Sequence, residues 1–349
     1  MTDRFDPTAL MRPNIRALVP YSTARDEFSG EGITAWLDAN ENPFDNGVNR
    51  YPDPHQKELK KVVSGLFGTP VDTIFIGGAG SDEAIDLLMR VFCVPGKDNI
   101  VTISPTYGVY EVSAAINDVE VRPVPLGENF SLPVDALVSA ADSNTKLTWV
   151  CSPNNPTGNA FSVTELSRLA EKVSGMLVID EAYVDFSEKG SMLPFIEKFS
   201  NVVVLRTLSK ARGMASLRLG MAFSHPAVAQ AMAMTKYPYN VNGPTQMDVI
   251  RRLRETPDIS AVVDLLLSER KRLEESLPSK AGVKRVYPSD ANFLLVEFDD
   301  PDTVYDMLLK GGALVRNRNR VPGCKGCLRI TVGTPEQNDL LLKLMDEWK

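Results

Sequence analysis

Between residues 72 and 221, short apolar runs rich in β-branched residues alternate with amphipathic stretches, and this alternation restricts the chain more than any other feature. The runs lie at 73–76, 100–103, 120–124, 146–150, 176–179 and 201–205. Helical patterns fall between them at 84–92, 109–116, 133–141 and 164–173. Runs of four or five residues predict buried strands, and strand–helix–strand in succession predicts right-handed crossovers. The fold class that follows is α/β, an open and mostly parallel sheet between helices.

Polar clusters recur just past the ends of these runs. Gly80, Ser81 and Asp82 follow the first, in a glycine-rich turn that opens a helix. Such a turn points free amides and the positive helix end at a phosphate, although Ser81 or Asp82 would serve equally as a helix cap. Tyr107 follows the second run, Asn155 the fourth, Asp180 and Tyr183 the fifth, and Thr207, Ser209 and Lys210 the sixth. In open α/β sheets ligands bind at this edge. Five clusters at one edge are hard to attribute to turns alone.

Lys210 is the most informative of them. An amine at the exit of a buried strand, with hydroxyls at Thr207 and Ser209 before it and Arg218 beyond, suits a Schiff-base nucleophile. Partial desolvation and Arg218 would lower its pKa. Thr207, Ser209 and Arg218 would hold a dianionic phosphate beside it.

The remaining chain divides into an N-terminal arm at 1–35 and, after a break at 232–244, an α+β unit at 245–349; residues 36–244 form the larger unit. Pro13 and Pro20 oppose helix in the arm. Residues 33–37 predict a short strand leading to a polar loop at 38–43, where Asn40 serves a site or simply a turn. The α+β unit carries a long helical stretch at 245–277 interrupted near Pro257, strands at 292–298 and 328–332, and a helix at 302–310.

A net charge of −7 and a pI near 5.1 argue against a nucleic-acid surface. No apolar run approaches the roughly 20 residues of a membrane span, and the N-terminus lacks a basic-then-apolar leader, so a cytoplasmic enzyme is expected. Cys324 and Cys327 form a Cys-x-x-Cys pair without a second ligand pair, and no metal is expected. With only His55 and His225 present, histidine chemistry has little support; His225, just before Pro226, reads as structural.

Lysine, acid, aromatic ring, amide, phenol and phosphate cradle are together what pyridoxal 5′-phosphate requires. Asp180 would face the pyridinium nitrogen, Tyr107 the ring, and Asn155 and Tyr183 the 3′-oxygen. Gly80, Ser81, Asp82, Ser209 and Arg218 would hold the phosphate, and Lys210 would carry the proton.

Several motifs carry a resemblance. Ser-Pro-Asn-Asn-Pro-Thr-Gly at 152–158, Asp-Glu-Ala-Tyr at 180–183, Ser209-Lys210 and Leu-Arg-Leu-Gly at 217–220 resemble the fold-type I pyridoxal-phosphate aminotransferases. Asn-Glu-Asn-Pro at 40–43, Arg-Tyr-Pro-Asp at 50–53, Ser-Pro-Thr-Tyr-Gly-Val-Tyr at 104–110, Tyr-Pro-Tyr-Asn-Val-Asn at 237–242 and Cys-Leu-Arg-Ile-Thr-Val-Gly at 327–333 narrow it to the histidinol-phosphate aminotransferase family. The resemblance implies a homodimer with shared active sites, Tyr51 reaching the neighbouring subunit's cofactor phosphate and Tyr21 of the arm entering the substrate pocket. It places Asn40, Arg316 and Arg329 at the substrate, and leaves Arg318 and Arg320 as a solvated basic loop. It implies reversible amino transfer from glutamate to imidazole-acetol phosphate, giving histidinol phosphate and 2-oxoglutarate, in histidine biosynthesis. Arg212 departs from the pattern, standing where the family usually has an aromatic residue, with a possible effect on packing behind the cofactor. The rivals are an aromatic or broad-range aminotransferase, a threonine-phosphate decarboxylase, or a non-catalytic cofactor-binding regulator; this last would need spare length for a DNA-binding module.

Overall fold

The computed structural model describes residues 5–24 and 32–348. Parts of the expected arm, at 1–4 and 25–31, lie outside the described residues.

Seven strands form the large sheet: β1 (Ile74–Gly80), β2 (Asn99–Ser104), β3 (Glu120–Pro125), β4 (Thr145–Cys151), β5 (Met176–Asp180), β6 (Val202–Thr207) and β7 (Gly220–Ser224). Their order is β1-β7-β6-β5-β4-β2-β3. β7 runs antiparallel to both its neighbours, and the other pairs are parallel. The mostly parallel sheet expected from the alternation is therefore present. β5 and β6 are buried along their whole length, as strands covered on both faces must be. β3 lies at an edge, which accommodates Pro123 and Pro125.

Side chains alternate between two cores. Val202 and Val204 of β6 pack on one side, with α2 (Lys57–Phe67), α5 (Val134–Ala140), α6 (Val163–Lys172) and α8 (Gly243–Glu255). Val203 and Leu205 pack on the other. That side holds α1 (Pro13–Arg16), α3 (Ser81–Phe92), α4 (Val109–Ile116) and α7 (Pro226–Thr235).

The second sheet, β10-β11-β9-β8, is antiparallel and comprises β8 (Val283–Val286), β9 (Phe293–Phe298), β10 (Arg316–Asn317) and β11 (Cys327–Thr331). α9 (Ser260–Ser276), α10 (Pro301–Lys310) and α11 (Pro335–Glu347) supply helices to this unit. The expected break near Pro257 separates α8 from α9.

Four local expectations need correction. Pro13 does not keep the arm extended; it occupies the first turn of α1, where its missing N–H is not needed. Residues 33–37 form no strand: Ile33, Trp36 and Leu37 are exposed, and among the described residues no strand runs alongside them. The break expected from 232 begins only at Lys236. α7 gives no helical signal in the sequence because it is rich in alanine and methionine and has little apolar periodicity. Neither Ser81 nor Asp82 caps α3: Gly80 is the N-cap, and Glu83 Oε2 accepts from the Gly78 and Ala79 amides. His225 does prove structural, its Nδ1 accepting from the Ala227 amide at the start of α7.

Candidate active site

The carboxyl ends of β1, β2, β4, β5 and β6 converge on one cavity of about 380 Å3. Because β7 is reversed, its amino end reaches the same edge and delivers Arg218. Gly220 makes that approach possible: a Cβ there would lie 2.0 Å from the Ser81 nitrogen. Gly80 has φ of +81° and donates its N–H to the Arg218 carbonyl at 2.8 Å. Arg218 Nη2 in turn donates to the Ala79 carbonyl at 3.1 Å and lies 3.8 Å from Asp82 Oδ2. The glycine-rich turn and the arginine thus hold one another.

Thirteen residues singled out from sequence line this cavity: Gly80, Ser81, Asp82, Tyr107, Asn155, Asp180, Tyr183, Thr207, Ser209, Lys210, Arg218, Arg316 and Arg329. Asn155 is positioned by its neighbour. Asn154, fully buried, donates to the Pro105 carbonyl at 2.9 Å and to Thr157 Oγ1 at 2.8 Å, knotting the loop after β4. Arg329 Nη1 donates to Asn155 Oδ1, so the amide nitrogen of Asn155 is the atom left to face a ligand.

Asp180 is 3% exposed at the end of β5. Tyr110 donates to its Oδ2 at 2.7 Å and the Ala182 N–H to its Oδ1 at 3.1 Å. Burial raises its pKa, and the two hydrogen bonds work against that rise. Among the described residues Asp180 has no ion-pair partner. Glu181 next to it faces elsewhere, accepting from Ser191 Oγ and the Met192 N–H and pairing with Arg206.

Lys210 Nζ lies 5.2 Å from the centre of the Tyr183 ring, which itself packs edge-on against Phe293. Desolvation lowers the lysine pKa, followed by Arg329; Asp180 opposes the shift, and Arg218 is the least of these influences. Arg329, from the second sheet, thus adds to the influence expected of Arg218. Burial raises the Tyr183 and Tyr107 phenols. Tyr107 donates to Asp82 Oδ1 at 3.2 Å.

Tyr21, Asn40 and Tyr51 do not reach this cavity. Glu41 draws the loop of Asn40 and Tyr51 together, its carboxylate accepting from the Tyr51 N–H at 2.6 Å and from Arg50 at 2.8 Å. Asn40 and Tyr51 line a separate concavity, where Tyr51 stacks on Tyr239 at 4.5 Å. Tyr21 lies in a groove beside Pro54 and Met234. Asn40, expected at the substrate, therefore lies away from the cavity of its own chain.

Arg318 is also corrected: it is half-buried and lines the cavity, whereas Arg320 is exposed. Tyr110 and Arg318 are the residues that sequence reading missed. Tyr110 stands one helical turn past Tyr107, and Arg318 shares strand parity with Arg316. Arg212 donates to the Thr256 and Pro257 carbonyls and does not line the cavity.

A family model covers the same ground: the chain belongs to the aminotransferase class I and II family, matched over residues 26–344. The histidinol-phosphate aminotransferase of Parabacteroides distasonis is 49% identical over 340 residues, covering 97% of this chain and 98% of the relative. Within the wider family, the chain belongs with the histidinol-phosphate aminotransferases. The crystal structure of that enzyme from Clostridium acetobutylicum is 25% identical with a TM-score of 0.78, covering 86% of this chain and 90% of that one. The Sinorhizobium meliloti enzyme, solved with pyridoxal-5′-phosphate, shares the fold at a TM-score of 0.78 and 24% identity, over 85% of this chain and 82% of that one.

Proposed function

We propose that this chain is a pyridoxal-phosphate-dependent histidinol-phosphate aminotransferase, acting in histidine biosynthesis and moving an amino group reversibly between L-glutamate and imidazole-acetol phosphate. The observation that carries the reading is the meeting of Lys210, Asp180 and an arginine cluster in one cavity at the carboxyl edge of the sheet. The residues fit the cofactor: Asp180 is a buried carboxyl with no ion-pair partner among the described residues, and a pyridinium would supply one. When bound, pyridoxal phosphate supplies an electron sink for the carbanion formed at the substrate's α-carbon.

The chain's own groups do the rest. Asp180, held by Tyr110 and Ala182, presents a fixed carboxylate to the ring nitrogen. Tyr107 would cover the ring face, and Asn155 and Tyr183 would donate to the ring oxygen. Thr207, Ser209, Arg218, Gly80 and the first-turn amides of Ser81 and Asp82 would hold the cofactor phosphate. The Asp82 side chain serves as the acceptor that steadies Tyr107 and Arg218. Lys210 Nζ takes up and returns the proton at the α-carbon, its depressed pKa matching that work. Arg329 and Arg316 receive the substrate's anionic end, phosphate or carboxylate in turn.

A homodimer completes the site in this reading. Leu37, Phe44, Val48 and Tyr237 are 87, 80, 66 and 81% exposed, an apolar display that suits a subunit interface carrying Tyr51, Asn40 and Tyr21 to the partner's cavity. A cytoplasmic location accords with a biosynthetic role, and among the described residues no helix is long and apolar enough to cross a membrane.

The test is a donor screen on purified holoenzyme with histidinol phosphate, phenylalanine, tyrosine and threonine phosphate. The highest kcat/KM is expected for histidinol phosphate with 2-oxoglutarate as acceptor. A preference for an aromatic amino acid, or carbon dioxide release from threonine phosphate, would replace this reading with one of its rivals.

A further inference from the structure

The segment 316–320 alternates arginine and asparagine at the period of a strand, so the two residue types project to opposite sides. The asparagine side is tied down. Asn317 Nδ2 and Asn319 Nδ2 both donate to the Asp302 carboxylate, at 2.6 and 3.1 Å, in the first turn of α10. The Arg318 N–H donates to the Cys327 carbonyl at 2.9 Å, continuing the β10–β11 pairing by one residue. The arginine side faces the cavity, which Arg316 and Arg318 line together with Arg329. Arg320 comes after the chain has begun to turn, the Val321 N–H donating to the Arg318 carbonyl at 2.9 Å, and it stays outside.

The cationic side is poorly compensated. β10 sets Arg316 directly opposite Arg329, and like charges in that position repel. Among the described residues none of Arg316, Arg318 and Arg329 pairs with a carboxylate. The Nε atoms of Arg318 and Arg329 are buried and have no hydrogen-bond partner. Burial, then Arg329 and Arg316, pull the Arg318 pKa down to about 10, still far enough above neutrality to keep the charge. Three guanidinium groups around one space call for an anion with more than one charge and several oxygens.

We propose that Arg318 is a third ligand of the substrate's phosphate and sets the enzyme's preference for a phosphate dianion over an uncharged or singly charged group at that end. A phosphate monoester offers three terminal oxygens, enough for three guanidinium groups; a carboxylate is filled by one bidentate arginine.

The inference rests on the function proposed above, and the experiment separates the two. Wild-type, Arg318→Gln and Arg320→Gln holoenzymes are compared with histidinol phosphate, unphosphorylated histidinol and glutamate. Thermal melting is recorded with and without histidinol phosphate. Arg318→Gln is expected to lower kcat/KM for histidinol phosphate about 10- to 100-fold, chiefly through KM. Histidinol and glutamate should change by no more than about threefold, and Arg320→Gln should match wild type. The melting temperature without ligand should hold or rise as repulsion is relieved, while the stabilisation by histidinol phosphate shrinks. Equal losses on histidinol and its phosphate, or unchanged stabilisation by histidinol phosphate, would overturn the role of Arg318 alone. A wild-type enzyme with no preference for the phosphorylated amine would overturn the functional reading, and this inference with it.

Discussion

Asp180 and Glu181 are adjacent buried acids whose surroundings assign them different work. Tyr110 and the Ala182 amide fix the Asp180 carboxylate at the cavity, while Glu181 anchors Ser191, Met192 and Arg206 behind it. Asp180→Ala should keep the fold and part of the cofactor while transamination falls at least about 100-fold, the scale of losing one preorganised charge. Glu181→Ala should instead cost about 3 kcal/mol of stability in denaturant unfolding, moderated because Asp185 still pairs with Arg206. Similar activity losses in the two variants would show the pyridinium partner to be misplaced. Tyr110→Phe tests the positioning bond. That bond lowers the Asp180 pKa against burial, so its loss raises the pKa further. Carboxylate stability is lost as pH falls, and the acid limb of the kcat/KM profile should therefore move to higher pH. An unmoved limb would mean that Tyr110 is packing only.

Among the elements, the reversed β7 decides most about the site. Its antiparallel run brings Arg218 back to the edge where the parallel strands end, and its first residue passes against the turn after β1. Gly220→Ala would push a methyl group to 2.0 Å from the Ser81 nitrogen, backbone that cannot swing aside. Overpacking of this kind costs about 1–3 kcal/mol and should separate β7 from the Gly80–Ser81 turn. The expected result is a lower melting temperature together with weaker retention of pyridoxal phosphate in dialysis. Gly213→Ala provides the comparison, because no atom lies within 4 Å of its added Cβ, although its φ of +64° adds backbone strain. If Gly213→Ala loses as much cofactor, close approach at β7 is not the cause.

At the scale of the whole molecule, three residues expected at the site lie away from the cavity of their own chain, and exposed Val48 lines the same concavity as two of them. The shared sites proposed above would account for both. The test mixes Lys210→Ala and Tyr51→Ala proteins under conditions of subunit exchange. Each hybrid dimer would carry one doubly altered site and one intact site, so random exchange leaves about a quarter of all sites intact. Activity rising toward that fraction is expected. No recovery, with exchange verified by size or mass, would confine each site to one chain and remove the trans role of Tyr51.

Most strands, most helices and thirteen residues around one cavity were legible in the sequence because they obey local rules: β-branched runs make strands, amphipathic periods make helices, and ligand groups cluster where parallel strands end; β7, β8 and β10, short or without a β-branched run, were not. α7 was not legible, since a helix apolar on most sides has no period to detect. Nor was the failure of residues 33–37 to form a strand, because a strand needs a neighbour and no local pattern supplies one. Chemistry at the level of single residues divides the same way. Lys210 and Asp180 announced themselves by position, but that Arg329 joins Arg218 in lowering the lysine's pKa depends on how the two sheets meet, which no local pattern carries. Tyr110 as the partner of Asp180 is a contact between residues 70 apart in the chain. Arg318 looked like one more charge in a basic loop. Only the pairing of β10 with β11 and the clamp on Asp302 turn its side chain toward the cavity, because sequence sets the period of a strand while its partners set which side faces inward.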